Sequence, residues 1–192
     1  LNNLKKALEL GTNKIISFEL LASTQLELGL HADALKTLNL ALSMHPNNAN
    51  LLANKGACLR ISGQLTKSIQ SYTQAINIDS KLATAHNGLG VSLQGAGSIT
   101  AAIAAFDNAI FLDPEFSDAY SNRNLALNYS SSHTKAEVYQ FHKEFDHKFK
   151  RQPIGAKITK QGEKPRVGYL SADLRRHSVA YFFYSLLKFH NQ

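Results

Sequence analysis

The sequence predicts a mainly α-helical chain: helical hairpins stacked into a right-handed superhelix, followed by the first strand, loop and helix of an incomplete α/β domain. Three observations carry this prediction. A 34-residue period runs through residues 15–116. Within each period apolar residues recur at helical spacing. Past residue 152 the period gives way to a stretch punctuated by Pro and Gly, and then to a short apolar run that reads as a strand.

The period is visible slot by slot. Gly29, Gly63 and Gly97 are in step, as are Ala34, Ser68 and Ala102, then Leu38, Tyr72 and Phe106, then Ala41, Ala75 and Ala109. Pro46 and Pro114 are in step too, with Ser80 at the intervening place. Each slot has a physical reason. A glycine gives the backbone positive φ between two helices. Small residues (Ala22, Gly56 and Gly90 on first helices, Ala34, Ser68 and Ala102 on second ones) let the two helices of a unit approach closely. The large residue fills the gap to the next unit, and the proline ends the second helix.

This pattern resembles the tetratricopeptide repeat. It covers three full units, 15–48, 49–82 and 83–116, with partial units on both sides, so residues 1–129 read as repeats. Helices are expected at 15–28, 32–44, 49–62, 66–78, 83–96, 100–112 and 117–129. In residues 1–14, Leu4, Ala7 and Leu10 fall in the slots of Leu38, Ala41 and Met44. That is half a unit with an uncovered apolar seam, and it predicts that the native chain extends further back.

After the loop Ser130–His133, Thr134 and Glu137 form a capping-box pattern that opens an eighth helix. Its stripe of Val138, Phe141, Phe145 and Phe149 has the spacing of one buried face. Ala136 still stands in the slot of Ala34, while Phe141 falls one residue late. Residues 130–151 therefore read as a divergent closing unit. Residues 152–165, with Pro153, Gly155, Gly162 and Pro165, read as a linker. Arg166 to Leu170 reads as a strand, Ser171 to His177 as a loop, and Ser178 as the N-cap of a helix with the stripe Val179, Phe182, Phe183, Leu186 and Leu187. A lone strand and helix cannot bury both apolar surfaces, so residues 166–192 are expected to be the opening of a larger domain.

Composition narrows the function classes. The formal net charge is +7, and residues 151–192 carry eight Lys/Arg against Glu163 and Asp173, which accounts for six of those charges. The repeats are close to neutral, so a basic stripe of the kind that tracks nucleic acid is not expected. A single cysteine, Cys58, excludes an internal disulfide and reads as a small apolar residue. No apolar run is long enough to span a bilayer, and the start of the chain carries repeat pattern rather than a secretory signal. No membrane partner is expected, and the location expected is cytoplasmic.

The repeats show no catalytic constellation and no metal set: His31, His45, His86 and His133 are scattered, and His142 and His147 are five apart. The inner face of such a superhelix is the place for an extended peptide. Asn54 and Asn122 share one slot on their first helices, where an amide can bond a ligand backbone, and Gly88 interrupts the series between them. Chemistry is expected elsewhere, in Pro165-Arg-Val-Gly-Tyr-Leu-Ser-Ala-Asp-Leu-Arg-Arg-His-Ser178. That loop follows the carboxyl end of a strand and leads into a helix N-terminus, where Arg175, Arg176 and His177 would favour an anion such as a phosphate.

Repeats, a Phe/His-bearing helix (Phe141-His-Lys-Glu-Phe145) and this strand-and-loop together resemble protein O-linked N-acetylglucosamine transferases, most closely the bacterial SPINDLY-type members of glycosyltransferase family 41. The resemblance implies a two-lobed GT-B catalytic region, of which 166–192 would begin the N-terminal lobe. It implies UDP-N-acetylglucosamine as donor, no bound cofactor, a Ser or Thr hydroxyl of a protein as acceptor, and repeats that select the acceptor in the superhelix groove. The family histidine after the first strand falls on His177, a candidate catalytic residue whose imidazole suits a base or a donor contact. Members usually carry Pro after this histidine, where Ser178 stands here, and some use GDP-fucose, so the sugar stays open. The family's nucleotide-binding lobe lies far downstream, so the present chain alone is expected to be inactive. The alternative is a non-enzymatic repeat scaffold for protein–protein interaction, and a third reading is another α/β enzyme fused to repeats.

Overall fold

The computed structural model describes residues 14–149, with Lys14 described by its backbone alone. The expected half-unit at 1–14, the linker at 152–165, the strand at 166–170 and the candidate residues Arg175, Arg176 and His177 therefore lie outside the described residues, Lys14 apart. Within them the chain is all-helical: α1 (Lys14–Glu27), α2 (His31–Met44), α3 (Ala49–Ile61), α4 (Leu65–Ile78), α5 (Ala83–Gly95), α6 (Ile99–Leu112), α7 (Ser117–Leu127) and α8 (Lys135–Lys148). These bounds fall within two residues of those expected from the period.

The first three hairpins turn on the frame glycines. Gly29, Gly63 and Gly97 have φ of 73°, 74° and 81°. Each sits in the same pair of backbone bonds. Gly29 N–H donates to the Leu26 carbonyl at 3.0 Å and Leu30 N–H reaches back to that of Gln25 at 2.8 Å, and the pattern repeats from Gly63 to Arg60 and from Gly97 to Gln94. This double closure of a helix end requires the left-handed conformation that glycine adopts without strain.

The small and large slots do what the period requires. Ala22, Ala34, Ala41, Ala75, Ala102 and Ala109 are wholly buried, as are Leu38 and Phe106, and Tyr72 nearly so. A β-carbon on Gly56 would meet the Tyr72 ring at 2.9 Å, and one on Gly90 would meet the Phe106 ring at 2.5 Å. The glycines of the first helices are thus seats for the aromatic rings of the second helices. Cys58 is buried, its Sγ–H donating to the His31 carbonyl at 3.3 Å, and burial pushes its thiol pKa up.

Consecutive helices pack against each other throughout, and each first helix also packs on the next first helix: α1 on α3, α3 on α5, α5 on α7. Among the described residues no second helix packs on another second helix. First helices that touch and second helices that splay bend the stack, with the first helices on the inside. The result is a superhelix of helical hairpins.

The fourth hairpin, α7–α8, departs from the others. It has no positive-φ glycine, and α8 begins at Lys135, two residues later than the frame of His31, Leu65 and Ile99 requires. The expected capping box is present: Thr134 N–H donates to Glu137 Oε2 at 2.7 Å and Glu137 N–H donates to Thr134 Oγ1 at 3.3 Å. This restart moves Ala136 out of the helix–helix seam, and it is exposed, unlike Ala34 and Ala102. The stripe expected to be fully buried is half-buried instead, and no residue of α8 is buried. Val138 and Phe141 pack against Ala126, Leu127 and the Phe106 cluster, while Phe145 lies tilted and Phe149 edge-on against Tyr120, at 6.5 and 5.1 Å between ring centres.

Candidate functional site

The inner face carries an open groove. A cleft of about 500 Å³ opens between α5 and α7, lined by Val91, Gln94, Gly95, Ile99, Asn122, Leu125 and Tyr129. Asn122, Leu125 and Tyr129 lie three and four residues apart along α7 and just past its end, a second helical stripe beside the buried one. Leu125 is 50% exposed and Tyr129 is 67% exposed, so the apolar wall faces solvent. Opposite them, Val91 and Gly95 hold the frame positions of Leu125 and Tyr129 one unit earlier.

At the edge stands an amide pair. Asn122 Nδ2 donates to Asn87 Oδ1 at 3.0 Å, across from α7 to α5. Each amide has two donors and an acceptor with two lone pairs, so one shared bond leaves free both an acceptor on Asn122 and donors on Asn87. A peptide backbone running along the groove presents the complementary carbonyls and N–H groups. Among the described lining residues none is charged, so the groove fits an uncharged segment with apolar side chains.

The expected residues Asn54 and Asn122 are therefore not joined to each other. Asn54 lies half-buried on α3, with no hydrogen-bond partner among the described residues. Asn122 joins Asn87, one frame position earlier on the neighbouring helix. Gly88, between them in the series, is covered by the Tyr72 ring. Sequence reasoning missed Asn87, Val91, Leu125 and Tyr129. The signal that finds Leu125 and Tyr129 is an apolar residue three and seven positions after Asn122, off the core stripe.

A second cleft, of about 580 Å³, lies between α7 and α8 and is lined among others by His133, Lys135, Val138, Tyr139 and His142. His133 Nδ1 contacts Ser130 Oγ at 2.8 Å, and the imidazole stands edge-on to Phe141 at 6.2 Å. That histidine is occupied in holding the α7–α8 loop. Among the described residues no group of three His, Cys, Asp or Glu is arranged to hold a metal ion, and no helix is long and apolar enough to cross a membrane.

Fold and groove define a helical-repeat protein with an uncharged cleft on its inner face. Family models agree: one described as a TPR repeat matches residues 56–97, and one described as a tetratricopeptide repeat matches residues 37–70. No curated protein sequence matches the chain. Among solved structures, a mutant of Thermobaculum terrenum O-GlcNAc transferase is similar with TM-score 0.75 and 22% identity, over 92% of this chain and 35% of that one. The present chain thus spans about a third of that transferase. MamA is similar with TM-score 0.66 and 23% identity, over 76% of this chain and 84% of MamA. The second TPR domain of human RPAP3, solved in complex with the HSP70 peptide SGPTIEEVD, is similar with TM-score 0.55 and 20% identity, over 58% and 93%. At these identities the likeness shows a shared fold.

Proposed function

We propose that residues 14–149 are a protein-recognition module that takes an extended, uncharged segment of a client protein along its inner face. The observation that carries this is the α5–α7 groove, with Leu125 and Tyr129 exposed and Val91 half-buried beside the Asn87–Asn122 amide pair. Exposed apolar side chains next to unsaturated amides are the two ingredients of peptide capture: one buries side chains and the other bonds backbone. The RPAP3 ligand ends in acidic residues, and an uncharged groove does not match it.

We further propose that this module serves a protein O-glycosyltransferase, delivering Ser or Thr hydroxyls to a nucleotide-sugar, UDP-N-acetylglucosamine in the first instance. Support comes from the 165–178 segment, with Arg175 and Arg176 as anion contacts and His177 as the catalytic candidate. The transferase neighbour, similar over 92% of this chain, adds to it. A plain interaction scaffold is the second reading, favoured by the MamA and RPAP3 likenesses, which carry no transferase in their names.

The test has two arms. The full-length protein is incubated with UDP-N-acetylglucosamine and a Ser/Thr-rich uncharged peptide, and sugar transfer is read by mass spectrometry. Peptide binding is measured in parallel on the same protein and its Asn122→Ala variant. Binding lost by Asn122→Ala together with transfer abolished by His177→Ala supports both readings. Binding without transfer leaves the scaffold, and binding indifferent to Asn122 removes the groove assignment.

A further inference from the structure

The first helices of the four hairpins carry Leu21, Lys55, Leu89 and Arg123 at equivalent places in the 34-residue frame. Two are apolar and two are cations. The second cation has a counter-ion: Arg123 Nη1 pairs with Asp107 Oδ1 at 3.3 Å on the preceding second helix, and its guanidinium lies over the Phe141 ring at 4.6 Å. Stepping back two units, 68 residues, carries Arg123 to Lys55 and Asp107 to Asn39. Lys55 thus faces a neutral amide where its counterpart faces a carboxylate.

Lys55 and Asn39 line one cleft of about 350 Å³, floored by α3 and open between α2 and α4, which do not touch. The same cleft is lined by Lys67, Gln64, Gln70 and Gln74, and among the described residues no Asp or Glu lines it. Lys55 is half-buried and has no hydrogen-bond or ion-pair partner among the described residues. A cation in a cleft without a carboxylate leaves a place for a negative charge brought by a partner.

We propose that this cleft, on the side away from the inner groove, is a docking site for an acidic segment of a partner protein. A carboxylate of the partner takes at Lys55 the place that Asp107 takes at Arg123. The surrounding amides decide for peptide over a simple anion. Gln70, Gln74 and Asn39 offer acceptors as well as donors, and a peptide backbone uses both, whereas phosphate would use the donors alone. Two lysines in one cleft, rather than a stripe along the array, likewise favour a protein partner over nucleic acid. The proposal is independent of the inner-groove reading.

The internal comparison supplies the test. A fluorescently labelled peptide of alternating Glu and Ser is titrated with the full chain by anisotropy, beside the same peptide with Gln for Glu. Wild-type protein is expected to bind the Glu peptide alone. Asn39→Asp, which installs the internal carboxylate, and Lys55→Met are each expected to weaken binding roughly tenfold or more. Asn39→Asp is also expected to raise the unfolding temperature. The proposal falls if the Gln peptide binds equally, if Asn39→Asp binds as the wild type does, or if the chain takes inorganic phosphate or oligo-dT but not the Glu peptide.

Discussion

The ring of Tyr72 occupies the space in which a side chain at residue 88 would begin. A β-carbon on Gly88 would stand 2.3 Å from Tyr72 Cζ and 2.6 Å from its hydroxyl oxygen. The ring runs from Gly56 on its own unit's first helix to Gly88 on the next unit's, and burial raises the phenol pKa against the opposing pull of Arg60. One aromatic side chain therefore joins two units and breaks the asparagine series of the inner face.

Alanine at Gly88 is expected to lower stability by about 1–3 kcal/mol through overpacking, more than the roughly 1 kcal/mol that alanine adds over glycine in a helix. The sign should reverse once the ring is gone. In a Tyr72→Leu background, which copies the Leu38 slot, Gly88→Ala should be neutral or stabilising. Urea denaturation of the two single variants and the double variant measures this coupling. Equal effects of Gly88→Ala in both backgrounds would show that the ring does not press on residue 88.

The sequence made the turns and the slots legible and left the reach of side chains hidden. Gly29, Gly63 and Gly97 could be placed because only a few residues adopt positive φ at a helix end. Tyr72 was recognisable as a filler between units, but periodicity reports which face a residue occupies and not how far its ring extends. Ala136 kept the frame in sequence and lost it in space, because the Thr134–Glu137 cap restarts the helix two residues late. Asn122 was readable from its slot. Its partner was not, since Asn87 lies one position off the frame, where the angle between α5 and α7 decides the pairing.

Ser68 and Ser92 form a buried hydroxyl pair with more contacts than protons. Ser68 Oγ lies 2.7 Å from the Gly56 carbonyl, Ser92 Oγ 2.9 Å from that of Gly88, and the two hydroxyls 2.9 Å from each other. Two protons can fill only two of these three contacts at once. Ser68→Ala, which copies Ala34 and Ala102, leaves Ser92 free to donate to Gly88 and strands no donor. The expected change in stability is within about 1 kcal/mol of zero. A loss of several kcal/mol in calorimetry would mean that the pair is an essential link between the second and third units.

Arg123 holds α8 through more than charge. It is nearly buried, pairs with half-exposed Asp107, and stacks over Phe141 and Tyr120. Its Nε and Nη2 have no partner. Asp107→Asn should therefore destabilise by about 1–3 kcal/mol, because it removes the carboxylate and leaves the buried guanidinium. Arg123→Leu, which copies Leu21 and Leu89, removes the buried charge altogether and should cost less. Hydrogen exchange along Lys135–Lys148 reads the local effect. Should Arg123→Leu release α8 more than Asp107→Asn does, stacking rather than charge holds that helix.

The cap of α8 gives the chain an acid-sensitive end. The Thr134 backbone N–H, and next its hydroxyl, hold the Glu137 carboxyl below the usual carboxylate range, with the His133 charge adding least. A carboxylate with a depressed folded pKa stabilises above its unfolded pKa, and that contribution is lost as pH falls through the folded value. The first turn of α8 is therefore expected to fray on acidification below roughly pH 4, the lower edge of the ordinary carboxylate range. Amide exchange at Val138 and the carboxyl chemical shift of Glu137 should change together across that interval. Glu137→Gln keeps an acceptor oxygen but cannot titrate, so it should flatten the response and begin with a slightly weaker cap. An acid transition in α8 that survives Glu137→Gln would place its origin in another group.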